Sequence, residues 1–274
     1  MISYAQNFED IMIARLFSAE HRGFYVDIGA AHPEFLSVTC HFYKQGWSGI
    51  NIEPTSQFYP LLRDARPNDL NLNCAIGEKA GRAAFYEISG FAENSTLNAA
   101  VADTLASTNL ASTPHEVEVI RLDTLCDLHV QDKTIDFMKI DVEGGELGVI
   151  RSGDWNRYRP RLLIVEATAV NSRDENWEAW EPILTDARYQ KVWFDGLNNF
   201  YLREEDIALR TAFRLPPNIF DRFETAELAA AKRLMQAQHG EITLLAATCA
   251  ERLELINRLD KELRRVRAIA EEQE

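Results

Sequence analysis

Four carboxylates sit where apolar runs give way to turns. Asp27 follows Gly23-Phe24-Tyr25-Val26, Glu53 follows Gly49-Ile50-Asn51-Ile52, Asp141 follows Asp136-Phe137-Met138-Lys139-Ile140, and Glu166 follows Arg161-Leu162-Leu163-Ile164-Val165. Short runs of this kind read as buried strands of a parallel sheet. Acids at their C-terminal ends then line one edge, the edge where open α/β sheets bind ligands. There a carboxylate can take a hydroxyl proton, accept paired hydrogen bonds from a diol, or hold a hard divalent cation. The chemistry is densest in the acidic turn Asp141-Val142-Glu143-Gly144-Gly145-Glu146. One Asp there could equally cap the next helix. Four strand-end acids favour a site.

The elements that must position these acids follow from the pattern. Gly29 ends the first run, and Gly46 stops a helix-like stretch over about 37–45. Pro54 and Thr55 open another helix, with Thr as N-cap. Further strands are expected at 70–75, 82–88 and 117–122, and helices at 145–152 and 177–187. Residues 190–195 and 199–203 flank Gly196-Leu197-Asn198 as a hairpin. Segment 89–114 is polar and without period, and is expected to be a long mobile loop, either a functional lid or disordered. The fold class is therefore α/β: a mostly parallel, doubly wound sheet with one reversed strand near an edge.

At 274 residues with 46% hydrophobic content, the chain can hold one good-sized domain, placed at 1–224, and an appendage at 225–274. Its net charge of −14 falls almost wholly on 1–224, since 225–274 holds 9 acids and 8 bases. A surface this negative argues against nucleic acid as a partner, and against a polyanionic substrate unless a local basic pocket overrides it. No apolar run approaches a membrane span and the N-terminus does not resemble a targeting signal, so a cytoplasmic protein, not integral to a membrane, is expected. Cys40, Cys74, Cys126 and Cys249 are far apart without a CxxC, which favours reduced thiols. In the tail, Leu228, Met235, Ile242, Cys249, Ile256, Leu263 and Ala270 recur every seven residues, with Leu245, Leu259 and Val266 three further on. This predicts a coiled coil that makes the protein a homo-oligomer; the alternative is a single helix folding back on the domain. Leu253 and Leu255 widen the stripe towards three or more helices.

Glu53 lies 24 residues beyond Gly29, near the spacing at which an acid accepts both hydroxyls of a bound ribose; otherwise it is a surface acid before a turn. A dinucleotide needs a glycine-rich cradle for its pyrophosphate, yet Ala31 and Pro33 stand where glycines would serve. S-adenosylmethionine has no phosphate and suits an acidic rim with one close-approach glycine. Three stretches then resemble the successive motifs of the FkbM family of S-adenosylmethionine-dependent methyltransferases: Tyr25-Val26-Asp27-Ile28-Gly29-Ala30, Gly49-Ile50-Asn51-Ile52-Glu53-Pro54, and the run from Asp136 to Glu146. Ser3-Tyr4-Ala5-Gln6-Asn7-Phe8-Glu9-Asp10, Arg121-Leu122-Asp123-Thr124-Leu125 and Phe194-Asp195-Gly196-Leu197-Asn198-Asn199-Phe200-Tyr201 extend the resemblance over roughly 1–224.

The resemblance implies a class I (Rossmann-like) methyltransferase fold, a seven-stranded sheet with one antiparallel strand, and methyl transfer to an oxygen. The acceptor would be a sugar hydroxyl in a cell-surface glycan or related glycoside. Asp27 and Gly29 would hold the aminoacyl end of the cofactor, Glu53 the ribose, and Asn73, Cys74 and Ala75 the adenine edge, with Gln6 and Pro54 in the same set. Asp141 would be the base or acceptor-binding group, with Glu143 next. Ala31-His32-Pro33 departs from the family pattern, making His32 a catalytic candidate, although a lone His is more often structural. A divalent Mg²⁺ or Mn²⁺ between Asp141 and Glu166 would instead lower the acceptor hydroxyl's pKa. The competing reading is a catalytically degenerate domain that recruits partners through the coil.

Overall fold

The computed structural model describes residues 1–271, and side chains through residue 269; Ala270 of the seven-residue repeat thus has its side chain outside the described set. The chain divides into two compact units, Met1–Phe223 and Glu224–Glu274.

In the first unit, α1 (Glu9–Ala14) precedes β1 (Phe24–Ile28), α2 (Cys40–Lys44), β2 (Ser48–Ile52), α3 (Phe58–Ala65) and β3 (Leu70–Leu72). Then come β4 (Ala75–Ile76), β5 (Gly81–Ile88), α4 (Ala99–Ser107), β6 (Ser112–Ile120) and α5 (Leu122–His129). The order continues with β7 (Phe137–Ile140), α6 (Glu146–Arg151), β8 (Leu162–Glu166), α7 (Glu181–Asp186), β9 (Tyr189–Phe194) and β10 (Asn198–Arg203). Seven strands form one sheet in the order β9-β10-β8-β7-β1-β2-β3. From β8 to β3 all pairings are parallel, while β10 runs antiparallel to both neighbours.

Both faces of this sheet are covered, which is why its central strands read as unbroken apolar runs. Val26, Ile28, Met138, Ile140, Leu163 and Val165 face one layer with Leu125, Val149 and Ile150. Tyr25, Phe137, Leu162, Ile164, Phe200 and Leu202 face the other with Ile13, Phe42 and Trp47. Side chains alternate along a strand, so Asp27 and Lys139 share the face of Tyr25 and Phe137. Their Cα positions are paired across β1 and β7.

Two expectations need correction. The strand at 70–75 is two: β3 joins the large sheet, whereas β4 joins β5 and β6 in a separate three-stranded sheet. The Asn73 side chain fixes the bend between them by donating to the carbonyls of Glu53 (3.0 Å) and Pro54 (3.3 Å). Segment 89–114 is not a mobile loop. It holds a 3₁₀ turn at Ala92–Asn94, the helix α4 capped by Asn98, and the start of β6. Thr96 exchanges two backbone hydrogen bonds with Tyr86, and Ala102 and Leu105 are buried. These contacts supply the fixed structure that the segment's own composition does not announce.

The second unit is dominated by α8 (Ala226–Glu271), an unbroken helix of 46 residues, about 70 Å long at 1.5 Å per residue. Ile242, Leu245, Ile256, Leu259 and Leu263 on it are exposed. Among the described residues no helix is long and apolar enough to cross a membrane. All four cysteines are free, Cys249 alone being exposed.

Candidate active site

The C-terminal ends of β1, β2, β7 and β8 converge on a cavity of about 580 Å³. Its floor is set by the crossing of β1 and β7. Gly29 has φ +79°, and a Cβ there would stand 1.7 Å from the Asp141 carbonyl oxygen. Only glycine permits that approach. Asp27 is 1% exposed; one of its oxygens accepts from the Thr39 hydroxyl at 2.7 Å, while Oδ1 has no hydrogen-bond partner. The nearest cation is the Lys139 ammonium, 4.0 Å from that oxygen and 3.0 Å from Asp141 Oδ2. Burial alone lowers the pKa of Lys139, but Asp141 and Asp27 outweigh it and leave it raised. Asp27 is itself raised by burial, against the pull of Lys139. Behind it, buried Arg66 donates to the Thr39 hydroxyl (2.6 Å) and to Ser37 (2.7 Å), fixing the loop after β1.

Glu53 occupies the next strand end and is 3% exposed. One oxygen accepts from the Ala31 N–H and the other from the Thr55 N–H, both at 2.7 Å. The Thr55 side chain also hydrogen-bonds this carboxylate, so of its about four lone-pair sites not all are taken. Thr55 in turn accepts from the Phe58 N–H at 3.1 Å in the turn before α3, whose N-cap position is Gln57 and not Thr55.

The third group is acidic. Asp141, Glu143 and Glu166 each offer an oxygen within 4.8 Å of the others. Glu143 has φ +56° in the turn after β7, and Glu146 ties that turn down by accepting from the N–H groups of Val142 and Gly144, both at 3.1 Å. Burial, then the charge of Asp141, raises Glu143 well above the usual carboxylate range; burial with Asp141 and Glu143 does the same to Glu166. Burial also pushes Glu146 up to about 7. Segment 91–97 and Leu110 close the cavity from the β5–β6 side. The Thr96 hydroxyl donates to the Glu143 carbonyl (2.7 Å) and the Asn98 amide to that of Gly144 (3.2 Å), so the cap is fastened to the turn that carries Glu143.

The chain's similarity to known proteins bears on this arrangement. The methyltransferase FkbM domain matches residues 27–191, more than half of the chain. The chain belongs to the FkbM methyltransferase family. A solved structure, methyltransferase FkbM from Methylobacillus flagellatus KT, is weakly similar, with 16% identity and a TM-score of 0.42 over 67% of this chain and 44% of that one. This chain therefore spans less than half of that protein's length. No curated protein matches it. Family membership supports methyl transfer by the FkbM domain and does not favour the degenerate-scaffold alternative.

Gln6, which precedes the matched domain, and Asp27, Gly29, Glu53, Pro54, Ala75, Asp141, Glu143 and Glu166 within it all line the one cavity. Three residues named from the sequence do not. Cys74 is buried in the core beneath it, Asn73 is spent on the bend after β3, and His32 is folded into its own loop. The His32 Nδ1 accepts the N–H groups of Glu34 (3.1 Å) and Phe35 (2.9 Å), and burial lowers its pKa. That arrangement makes His32 a neutral loop brace. Lys139 is the residue that sequence reasoning missed. The available signal was a lysine inside an apolar strand at even spacing from Asp141, which puts both on the face of Asp27.

Proposed function

We propose that unit 1–223 is an S-adenosylmethionine-dependent O-methyltransferase of class I architecture that methylates a sugar hydroxyl in a cell-surface glycan or related glycoside. The observation that carries this reading is the pairing, in one cavity, of two cofactor-suited acids with a separate acidic group beside them. When bound, S-adenosylmethionine supplies an electrophilic methyl group on its sulfonium. The residues fit it: Asp27 offers a buried, unpartnered oxygen to an ammonium, and Glu53 keeps acceptor capacity beyond its bonds to Ala31 and Thr55 for a ribose hydroxyl. Ala75 and Ile76 provide an apolar wall near Glu53.

The chain's remaining tasks are to orient the acceptor, remove its proton and exclude water. Asp141, steadied by Lys139 through Oδ2, is suited to orient the hydroxyl. Glu143 has no ion-pair partner among the described residues, and its raised pKa suits it to take the proton. Phe91, Leu97 and Leu110 cover the cavity against solvent. We also assign α8 to homo-oligomer assembly, on the seven-residue repeat and its exposed apolar side chains. A screen of nucleotide sugars and glycan fragments with labelled S-adenosylmethionine tests the reading. Label should enter at least one hydroxyl-bearing acceptor, and transfer only to nitrogen or carbon acceptors would overturn the O-methylation claim.

A further inference from the structure

We propose that Asp141, Glu143 and Glu166 together bind one divalent cation, Mg²⁺ or Mn²⁺, at the acceptor side of the cavity. The proposal extends the methyltransferase reading by placing the cation beside the acceptor hydroxyl, but cation binding itself does not depend on the cofactor.

The three donors are already gathered. Oxygens on opposite sides of a Mg²⁺ at about 2.1 Å lie about 4.2 Å apart. The three acids already hold oxygens within 4.8 Å of one another; only one pair of three ligands can lie opposite, and neighbouring ligand oxygens stand about 3.0 Å apart, so side-chain rotation must bring them closer by up to roughly 1.8 Å. Glu166 is 6% exposed, lines the cavity, and has a buried Oε2 without any hydrogen-bond partner. A buried carboxylate oxygen left without a donor is costly and calls for a compensating positive group. The chain does not provide one: among the described residues only Asp141 of the three has a Lys or Arg within ion-pair distance, and that Lys139 also serves Asp27 and the Gly29 carbonyl. All-oxygen donors select hard cations over zinc or copper. The backbone that carries the acids is held in place, since Glu166 ends β8, Asp141 donates its N–H to Ile28 of β1, and Glu146 holds the turn that carries Glu143, which leaves closure on an ion to side-chain rotation. Three oxygens leave the remaining positions of the ion to water and to one acceptor hydroxyl, while Glu143 keeps its second oxygen for the hydroxyl proton.

Mn²⁺ titration of the full chain, without S-adenosylmethionine or acceptor, is read by loss of the free-ion electron paramagnetic resonance signal. One ion per chain is expected, displaced by excess Mg²⁺, with affinity lowered at least about ten-fold in Glu166→Gln and in Glu143→Gln. Circular dichroism establishes that the variants fold; if either does not, Asp141→Asn takes its place. Absence of a bound ion, or binding unchanged in the folded variants, would overturn the proposal. Calorimetry with S-adenosylmethionine on the same samples keeps the two readings apart. Cofactor binding without Mn²⁺ binding sinks the cation site alone, and Mn²⁺ binding without cofactor binding sinks the cofactor reading alone.

Discussion

Lys139 carries more of the site than any single acid. Its ammonium lies between Asp27 and Asp141, two carboxylates brought onto one face by the register of β1 against β7. Removing one member of a buried charge group leaves the others uncompensated, at about 3–5 kcal/mol. Lys139→Met should therefore lower stability in urea melts by an amount of that order, and Asp27→Asn in the same background should restore part of it. Additive losses in the double variant would mean that the two groups do not interact. The lysine was overlooked in the sequence because an amphipathic stem passes for part of an apolar run. His32 lies in the loop after β1, away from the cavity lining, and its Nδ1 accepts two backbone N–H groups, a use of the side chain that the sequence does not announce.

At the scale of elements, the large sheet was legible. The central strands β1, β2, β7 and β8 are largely apolar runs covered on both faces and end at an acid, whereas the edge strands β3 and β9 are partly exposed. The helix α4 was not, since Ala99–Ser107 has little apolar contrast and is held mainly by Asn98, Thr96 and the burial of Ala102 and Leu105. Two outlying motifs explain each other. The Asn7 amide donates to the Asp195 carbonyl, and the Asn198 amide to Glu9, so the N-terminal segment bearing Gln6 is clipped to the β9–β10 turn. Burial and then Asp195 push Glu9 up to about 7 from 4.5. A folded-state pKa above the unfolded one means that the native state binds more protons between these values. Stability should therefore fall as pH rises from about 4.5 to about 7, by up to roughly 3 kcal/mol. Urea midpoints across that window should decline in the native sequence and be flatter in Glu9→Gln; equal slopes would remove Glu9 as the source.

For the whole molecule, charge and periodicity spoke separately. Of the −14 net charge, −12 lies in the first unit, while the tail is nearly balanced and carries the seven-residue repeat. An exposed helix of 46 residues gains most of its stability from packing its apolar stripe. Light scattering of the full chain should accordingly give a multiple of 31.2 kDa, and a monomeric mass at high concentration would remove the assembly role of α8.

The central claim is that one cavity binds S-adenosylmethionine through Asp27 and Glu53. Calorimetry with the native chain, Glu53→Ala and Asp27→Asn tests it most directly. Binding at one site per 1–223 unit is expected, weakened at least about ten-fold by either substitution, as befits loss of a charge-assisted hydrogen bond. No binding to the native chain, or binding indifferent to both substitutions, would contradict it.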